Sequence, residues 1–171
     1  MRSVGVTQKE ASIRTEQTCK DNWVAFNDTF RLSSHAVITN AQGQVLLLKA
    51  NYGNFAWGLP GGALEPGETI HEALVRECQE ELGLSVQVNY LSGVYYHSAY
   101  QSQAFIFRCE LLLLDGPEVA KDGADDEPLP IHLSHEHSAF AFHDIDTLST
   151  VQQQRIKDCL NFNGVVVSAK F

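Results

Sequence analysis

Between residues 62 and 84 the chain carries six glutamates and one arginine, a concentration of negative charge that needs a chemical explanation. Glu77, Glu80 and Glu81 stand at i, i+3 and i+4, a spacing that brings side chains together on a helix. At about 100° per residue, Ile70, Ala73, Leu74, Cys78 and Leu82 share one side of that helix, the side expected to face a core. With Ile70 as zero, Glu77 and Glu80 fall at about 340° and 280°, and Glu81 at about 20°, between Ile70 and Leu74. Carboxylates so placed repel one another and lose water, and without compensation they would protonate. A divalent cation resolves the conflict, and carboxylate oxygens suit Mg²⁺, with Mn²⁺ a second candidate. Arg76, one turn before Glu80, can orient a carboxylate from behind. The alternative is a solvated acidic helix face, against which stands the overlap with the apolar stripe.

Immediately upstream lies a loop rich in glycine and aromatic residues, Ala50 to Gly62, reading ANYGNFAWGLPGG. Gly61, Gly62 and Gly67 let backbone approach a ligand or turn with positive φ. The loop feeds a helix N-terminus, where a diphosphate can also meet backbone N–H groups. Tyr52, Phe55 and Trp57 offer stacking surfaces for a base or another planar group; Trp57 reads as core and Tyr52 as site.

These residues need a scaffold. Ser34 to Thr39 and Gln44 to Leu48 are β-rich runs around Asn40-Ala41-Gln42-Gly43, which reads as a hairpin. Thr69 to Leu82 has helical period and Gly83 is placed to stop it. Ser85–His97 and Ser102–Leu114 read as two long strands, His137–Phe142 as a late strand, and Ile145–Leu160 as a second helix. Val165–Phe171 reads as either an edge strand or a docked tail. Residues 1–32 form a polar lead-in, with a short strand around Trp23–Arg31, and 33–171 form one domain. Strands alternating with two helices indicate an α/β sandwich.

Residues 62–84, GALEPGETIHEALVRECQEELGL, resemble the Nudix hydrolase signature GX5EX7REUXEEXGU, in which U is bulky and apolar. Gly62, Glu68, Arg76, Glu77, Glu80, Glu81, Gly83 and Leu84 match it. Cys78 occupies the first apolar position and is smaller than the usual aliphatic residue. The resemblance extends over roughly residues 33–160 and implies a Nudix fold, an α/β/α sandwich with a mixed sheet. It implies hydrolysis of a nucleoside diphosphate linked to another moiety, with Glu77, Glu80, Glu81 and the Gly61 carbonyl as metal ligands. Arg76 and Glu68 then support that cluster, and Arg76 and Glu80 count among the catalytic group. The general base is either a glutamate of this segment or Glu136, in LSHEHSAFAF.

His132, His135 and His137 flank Glu136 with a spacing that could suggest a separate metal site, although substrate contact or plain exposure fits better. Tyr100, sixteen residues after Leu84, resembles a feature of the dinucleoside polyphosphate subgroup, so Tyr52, Phe55, Gly61, Gly62 and Tyr100 are the expected substrate contacts. Dinucleoside polyphosphates or (d)NTPs are favoured over nucleotide sugars and ADP-ribose. A non-catalytic nucleotide-binding module is the alternative class, and a homodimer is open.

The formal net charge is −9, and residues 115–127 carry six acids and one lysine, a second acidic run without ligand spacing that reads as a solvated linker. With no basic run, non-specific nucleic-acid binding is excluded, and a small-molecule nucleotide is the expected partner. No apolar stretch is long enough to cross a membrane as a helix, and the first residues lack a signal-peptide core, so a cytoplasmic location is expected. Of the four cysteines, none pairs as CxxC, and Cys78 and Cys109 read as buried thiols.

Overall fold

The computed structural model describes residues 29–112 and 129–171. The first part of the lead-in, Cys19, most of the early strand expected near Trp23 and the whole acidic run 115–127 lie outside those residues.

Eight strands and two helices follow in the order β1 (Arg31–Val37), β2 (Val45–Ala50), β3 (Trp57–Gly58), β4 (Gly61–Ala63), α1 (Ile70–Leu82), β5 (Ser85–His97), β6 (Ser102–Leu112), β7 (His137–His143), α2 (Thr150–Leu160) and β8 (Val167–Lys170). One sheet runs β4-β1-β6-β5-β8 and a smaller one β3-β2-β7. β1 pairs parallel with β6 and antiparallel with β4, while β5 and β6 form a long antiparallel pair. The tail does add a strand, since β8 pairs parallel with β5.

Period-two alternation builds the three layers. Ala36 and Ile38 with Phe107, Cys109, Leu46 and Leu48 face α1, where Leu74, Cys78 and Leu82 meet them. Val37, Val45, Leu47, Ala104, Ile106 and Tyr95 face α2, where Ile156 and Cys159 meet them. The thiols of Cys78, Cys109 and Cys159 are free and buried in these two cores, as expected for the first two. The result is the α/β/α sandwich.

The hairpin expected around Asn40–Gly43 is corrected. The turn forms, with Gly43 donating to the Asn40 carbonyl at 3.0 Å. Beyond one bridge between Thr39 and Val45, however, the two strands part into different sheets. β1 takes β6 as its partner instead, because both faces of β1 are buried and need a central place.

α1 is fixed at both ends. Thr69 caps it with a reciprocal capping box: Thr69 Oγ1 accepts from the Glu72 N–H at 3.2 Å, and the Glu72 carboxylate accepts from the Thr69 N–H at 2.8 Å. Gly83 ends it in the left-handed conformation, φ 68°, donating to the Gln79 carbonyl. Helix register, and therefore the direction of every glutamate on α1, is over-determined by these caps.

Candidate active site

α1 presents its glutamates at the sheet edge made by β4. Arg76 stands among them with a two-pronged contact to Glu68, Nε to Oε1 at 2.6 Å and Nη2 to Oε2 at 2.9 Å. Its Nη1 donates to Glu77 at 3.0 Å and to Glu80 at 3.2 Å, and Nη2 also donates to the Ala63 carbonyl at 3.0 Å. The guanidinium holds the Glu68 carboxyl down to about 2. Arg76 was expected to orient one carboxylate and to count among the catalytic residues. It engages three carboxylates and a carbonyl, which makes it a positioning residue with its donors turned towards protein.

Glu81 is 6% exposed, the buried carboxylate that its helical phase requires. Its Oε2 accepts from the Gly61 N–H at 2.7 Å, and its Oε1 lies 3.6 Å from His137 Nε2. Burial holds His137 below its ordinary value, so the imidazole facing Glu81 is neutral and supplies no countercharge. Burial likewise pushes Glu81 up to about 8; the Gly61 N–H opposes this, and the charges of Glu77, Glu136 and Glu80 add to it. Glu77 is raised by burial as well, against the pull of Arg76.

The glycines shape the same edge. Gly61, at φ 122°, pairs with His35 and runs so close to the Ser34 carbonyl that no side chain fits. At Gly62 an added Cβ would lie 2.5 Å from the Glu77 carboxyl carbon, so the carboxylate occupies the space that glycine leaves.

Glu136 reaches this edge from the loop before β7. Asn51 ties that loop to the aromatic loop, its N–H donating to the Glu136 carbonyl at 2.7 Å and its side chain to the His135 carbonyl at 3.0 Å. The His132 and Ser134 N–H groups cap the Leu82 and Glu81 carbonyls at the end of α1. Tyr52 is drawn in too: burial raises its hydroxyl, and the charges of Glu136, Glu81 and Glu77 raise it further. Tyr52 and Phe55 are largely exposed, and Phe55 sits in the left-handed region at φ 54°.

The structure therefore brings together Tyr52, Gly61, Gly62, Arg76, Glu77, Glu80, Glu81 and Glu136. Tyr100 is elsewhere, 69% exposed on the turn after β5 with its ring against His97. The three histidines separate, with His132 behind Gly83, His135 offering its carbonyl to Asn51, and His137 facing Glu81. Asn51 was missed, and its only signal is a contact between segments 84 or more residues apart.

Among the described residues no three Asp, Glu, His or Cys side chains are close enough to share one ion. The donor set nevertheless fits a hard divalent cation, since carboxylate oxygens of Glu77, Glu80 and Glu81 gather at this edge and the buried one, Glu81, lacks a countercharge. Glu80, whose side chain is 59% exposed, is free to turn from Arg76 towards an ion.

A family model, the NUDIX domain, matches residues 29–159. The chain belongs to the Nudix family. An RNA pyrophosphohydrolase of Hamiltonella defensa is 39% identical over 83 residues, 48% of this chain and 50% of that protein. A putative 8-oxo-dGTP diphosphatase of Bacillus subtilis is 34% identical over 88 residues, 49% of this chain and 58% of that protein. The Nudix chain thus spans about half the length of the curated relatives it matches. A solved ADP-ribose pyrophosphatase of Streptococcus suis superposes with a TM-score of 0.60 at 20% identity, covering 84% of this chain and all of that one, which is a likeness of fold. Among the described residues of this Nudix domain, no helix is long and apolar enough to cross a membrane.

Proposed function

We propose that the chain is a Mg²⁺-dependent pyrophosphohydrolase, with Mn²⁺ able to substitute, that cleaves the diphosphate of a nucleoside diphosphate linked to another moiety by attack of water on phosphorus. The observation that carries this reading is Glu81, a core-facing carboxylate beside Glu77 and in the field of Glu136, with no cation of its own. Glu77, Glu80, Glu81 and the Gly61 carbonyl would hold the ion. When bound, it would withdraw charge from the diphosphate and lower the pKa of the attacking water.

The remaining work belongs to the chain. Arg76 and Glu68 hold the carboxylates in register, and Asn51 holds the loop that carries Glu136. Glu136 accepts the proton of the attacking water, since it stands close enough for its charge to act on both Glu77 and Glu81. Tyr52 and Phe55 stack on the base or on the second moiety. Nucleotides with a polyphosphate chain are favoured, a choice supported by relatives named for RNA and 8-oxo-dGTP.

The test is a chromatographic screen for monophosphate products over dinucleoside polyphosphates, (d)NTPs, 5′-triphosphorylated RNA, ADP-ribose and nucleotide sugars, with and without Mg²⁺. At least one substrate is expected to turn over with Mg²⁺ alone, and Glu80→Gln should reduce that turnover by about 100-fold or more. Silence across the panel with Mg²⁺ bound would make the domain a nucleotide-binding module.

A further inference from the structure

The strand that carries His137 is irregular at the point where it meets the glutamate edge. β7 follows β2 in regular antiparallel register from His143 opposite Val45 to Ala139 opposite Lys49. It then slips, so that His137 stands opposite Ala50 and Ser138 is left over. Ser138 is thus a one-residue bulge, and its hydroxyl donates to the Lys49 carbonyl at 3.3 Å.

The slip reverses the direction of His137. Leu48 and Phe140 stand opposite each other and pack on the α1 side, as do Leu46 and Phe142. Strict alternation from Phe140 would send Ser138 to the α1 side and His137 to the α2 side. Because the bulge takes up one residue, His137 shares instead the side of Ala50, two residues beyond Leu48, and turns towards α1. There its side chain is 7% exposed, and its Nε2 stands 3.6 Å from Glu81 Oε1.

Two groups therefore bracket one carboxylate, one from each sheet. The Gly61 N–H, on β4 of the larger sheet, donates to Glu81 Oε2 at 2.7 Å. His137, on β7 of the smaller sheet, faces Oε1. Arg76 is engaged with Glu68, Glu77 and Glu80. An imidazole nitrogen beside a carboxylate oxygen is favourable only with the proton on that nitrogen, since two lone pairs repel. The separation exceeds hydrogen-bond length, but an N–H dipole still attracts a carboxylate across it.

We propose that His137 is a positioning residue for the divalent cation: its Nε2–H, aimed by the Ser138 bulge, orients the Glu81 carboxylate together with the Gly61 N–H. His137 acts through Glu81 and is not itself a ligand. The assignment rests on the metal reading of the glutamate edge.

The test needs no turnover. Long-range proton–nitrogen NMR of the full chain in EDTA reads which nitrogen of His137 carries the proton. At about pH 9.5, where imidazole is neutral and carboxylates are ionised, Nε2 is expected. A proton on Nδ1 overturns the proposal, whether or not any variant folds. Calorimetric Mg²⁺ titration then compares two variants. His137→Phe keeps a flat ring without the donor and should bind Mg²⁺ about 10- to 100-fold more weakly than the wild type. His137→Gln keeps an N–H at a similar reach and should stay within about 3-fold of the wild type. Packing alone would give the reverse order, and either that order or equal losses in both variants overturns the proposal. A wild type that binds no Mg²⁺ fails the metal reading, whereas wild-type affinity retained in His137→Phe fails the proposal alone.

Discussion

Replacing each of the adjacent glycines Gly61 and Gly62 by alanine separates the site from the fold. At Gly62 the new Cβ would meet the Glu77 carboxyl carbon at 2.5 Å, and ordinary contact between such atoms begins near 3.4 Å. The carboxylate must therefore retreat by about 1 Å, which stretches its 3.0 Å bond from Arg76 beyond hydrogen-bond length. Gly62 does not need positive φ, so alanine also removes unfolded-state freedom, a gain of about 0.4–1 kcal/mol that offsets the weakened, partly exposed pair. Stability should change by less than about 1 kcal/mol, while a misplacement of about 1 Å lowers turnover about 100-fold. Gly61→Ala differs: it places Cβ against the backbone carbonyl of Ser34 at φ 122°, where nothing flexible can yield, and it should unfold or strongly destabilise the domain. Urea melts and Mg²⁺-dependent turnover of both variants make the assay. A Gly62→Ala protein with wild-type turnover would refute the placement of Glu77 in the site, and a stable, active Gly61→Ala protein would refute the geometry of the edge.

Glu136→Gln should lower kcat by about 100-fold or more with little change in KM, as loss of a general base does, and unchanged kcat in steady-state assays would return Glu136 to the solvated loop. Arg76→Lys cannot reproduce the fork on Glu68, and calorimetric titration should find Mg²⁺ affinity reduced about 10- to 100-fold. The folded state holds protons on Glu81 and Glu77 that the unfolded chain releases, so metal-free stability should fall as pH rises from about 4.5 towards 8, by up to about 1.4 kcal/mol per unit. Urea melts in EDTA would show this slope, Glu81→Gln would flatten it, and a wild-type stability that rose over the same window would contradict the burial of Glu81.

α1 was legible because its information is local. The period of Ile70, Leu74, Cys78 and Leu82, the Thr69–Glu72 box and Gly83 are all written within fifteen residues. The same is true of the site residues on it, whose direction follows once register is known. The pairing of β1 was not legible, because Asn40–Gly43 satisfies a tight turn whether the strands then stay together or part. What separates them is the burial of both faces of β1, visible only when β6 arrives some 65 residues later. Likewise the link from Asn51 to Glu136 and the approach of His137 to Glu81 join distant segments, and no spacing in the chain encodes them.

The placement of Arg76 against that of Glu81 shows why the local and distant parts had to be combined. Read along the helix, one arginine among many glutamates suggests a shared neutralisation of the whole cluster. In the fold, Arg76 takes Glu68, Glu77 and Glu80, while Glu81 is turned away from it to Gly61 and a neutral His137. Among the described residues the most buried carboxylate is thus the one left without a cation, although an apolar residue at that position would pack against Leu74 and Cys78 at no electrostatic cost. Natural sequences break local consistency mainly where function requires it. The helix tolerates this break because its capping box, its glycine stop and the caps from His132 and Ser134 hold it in place independently of Glu81. Removing the charge by Glu81→Gln is therefore expected to stabilise the metal-free domain above pH 8 while abolishing Mg²⁺-dependent turnover; destabilisation there would mean that Glu81 serves the fold instead.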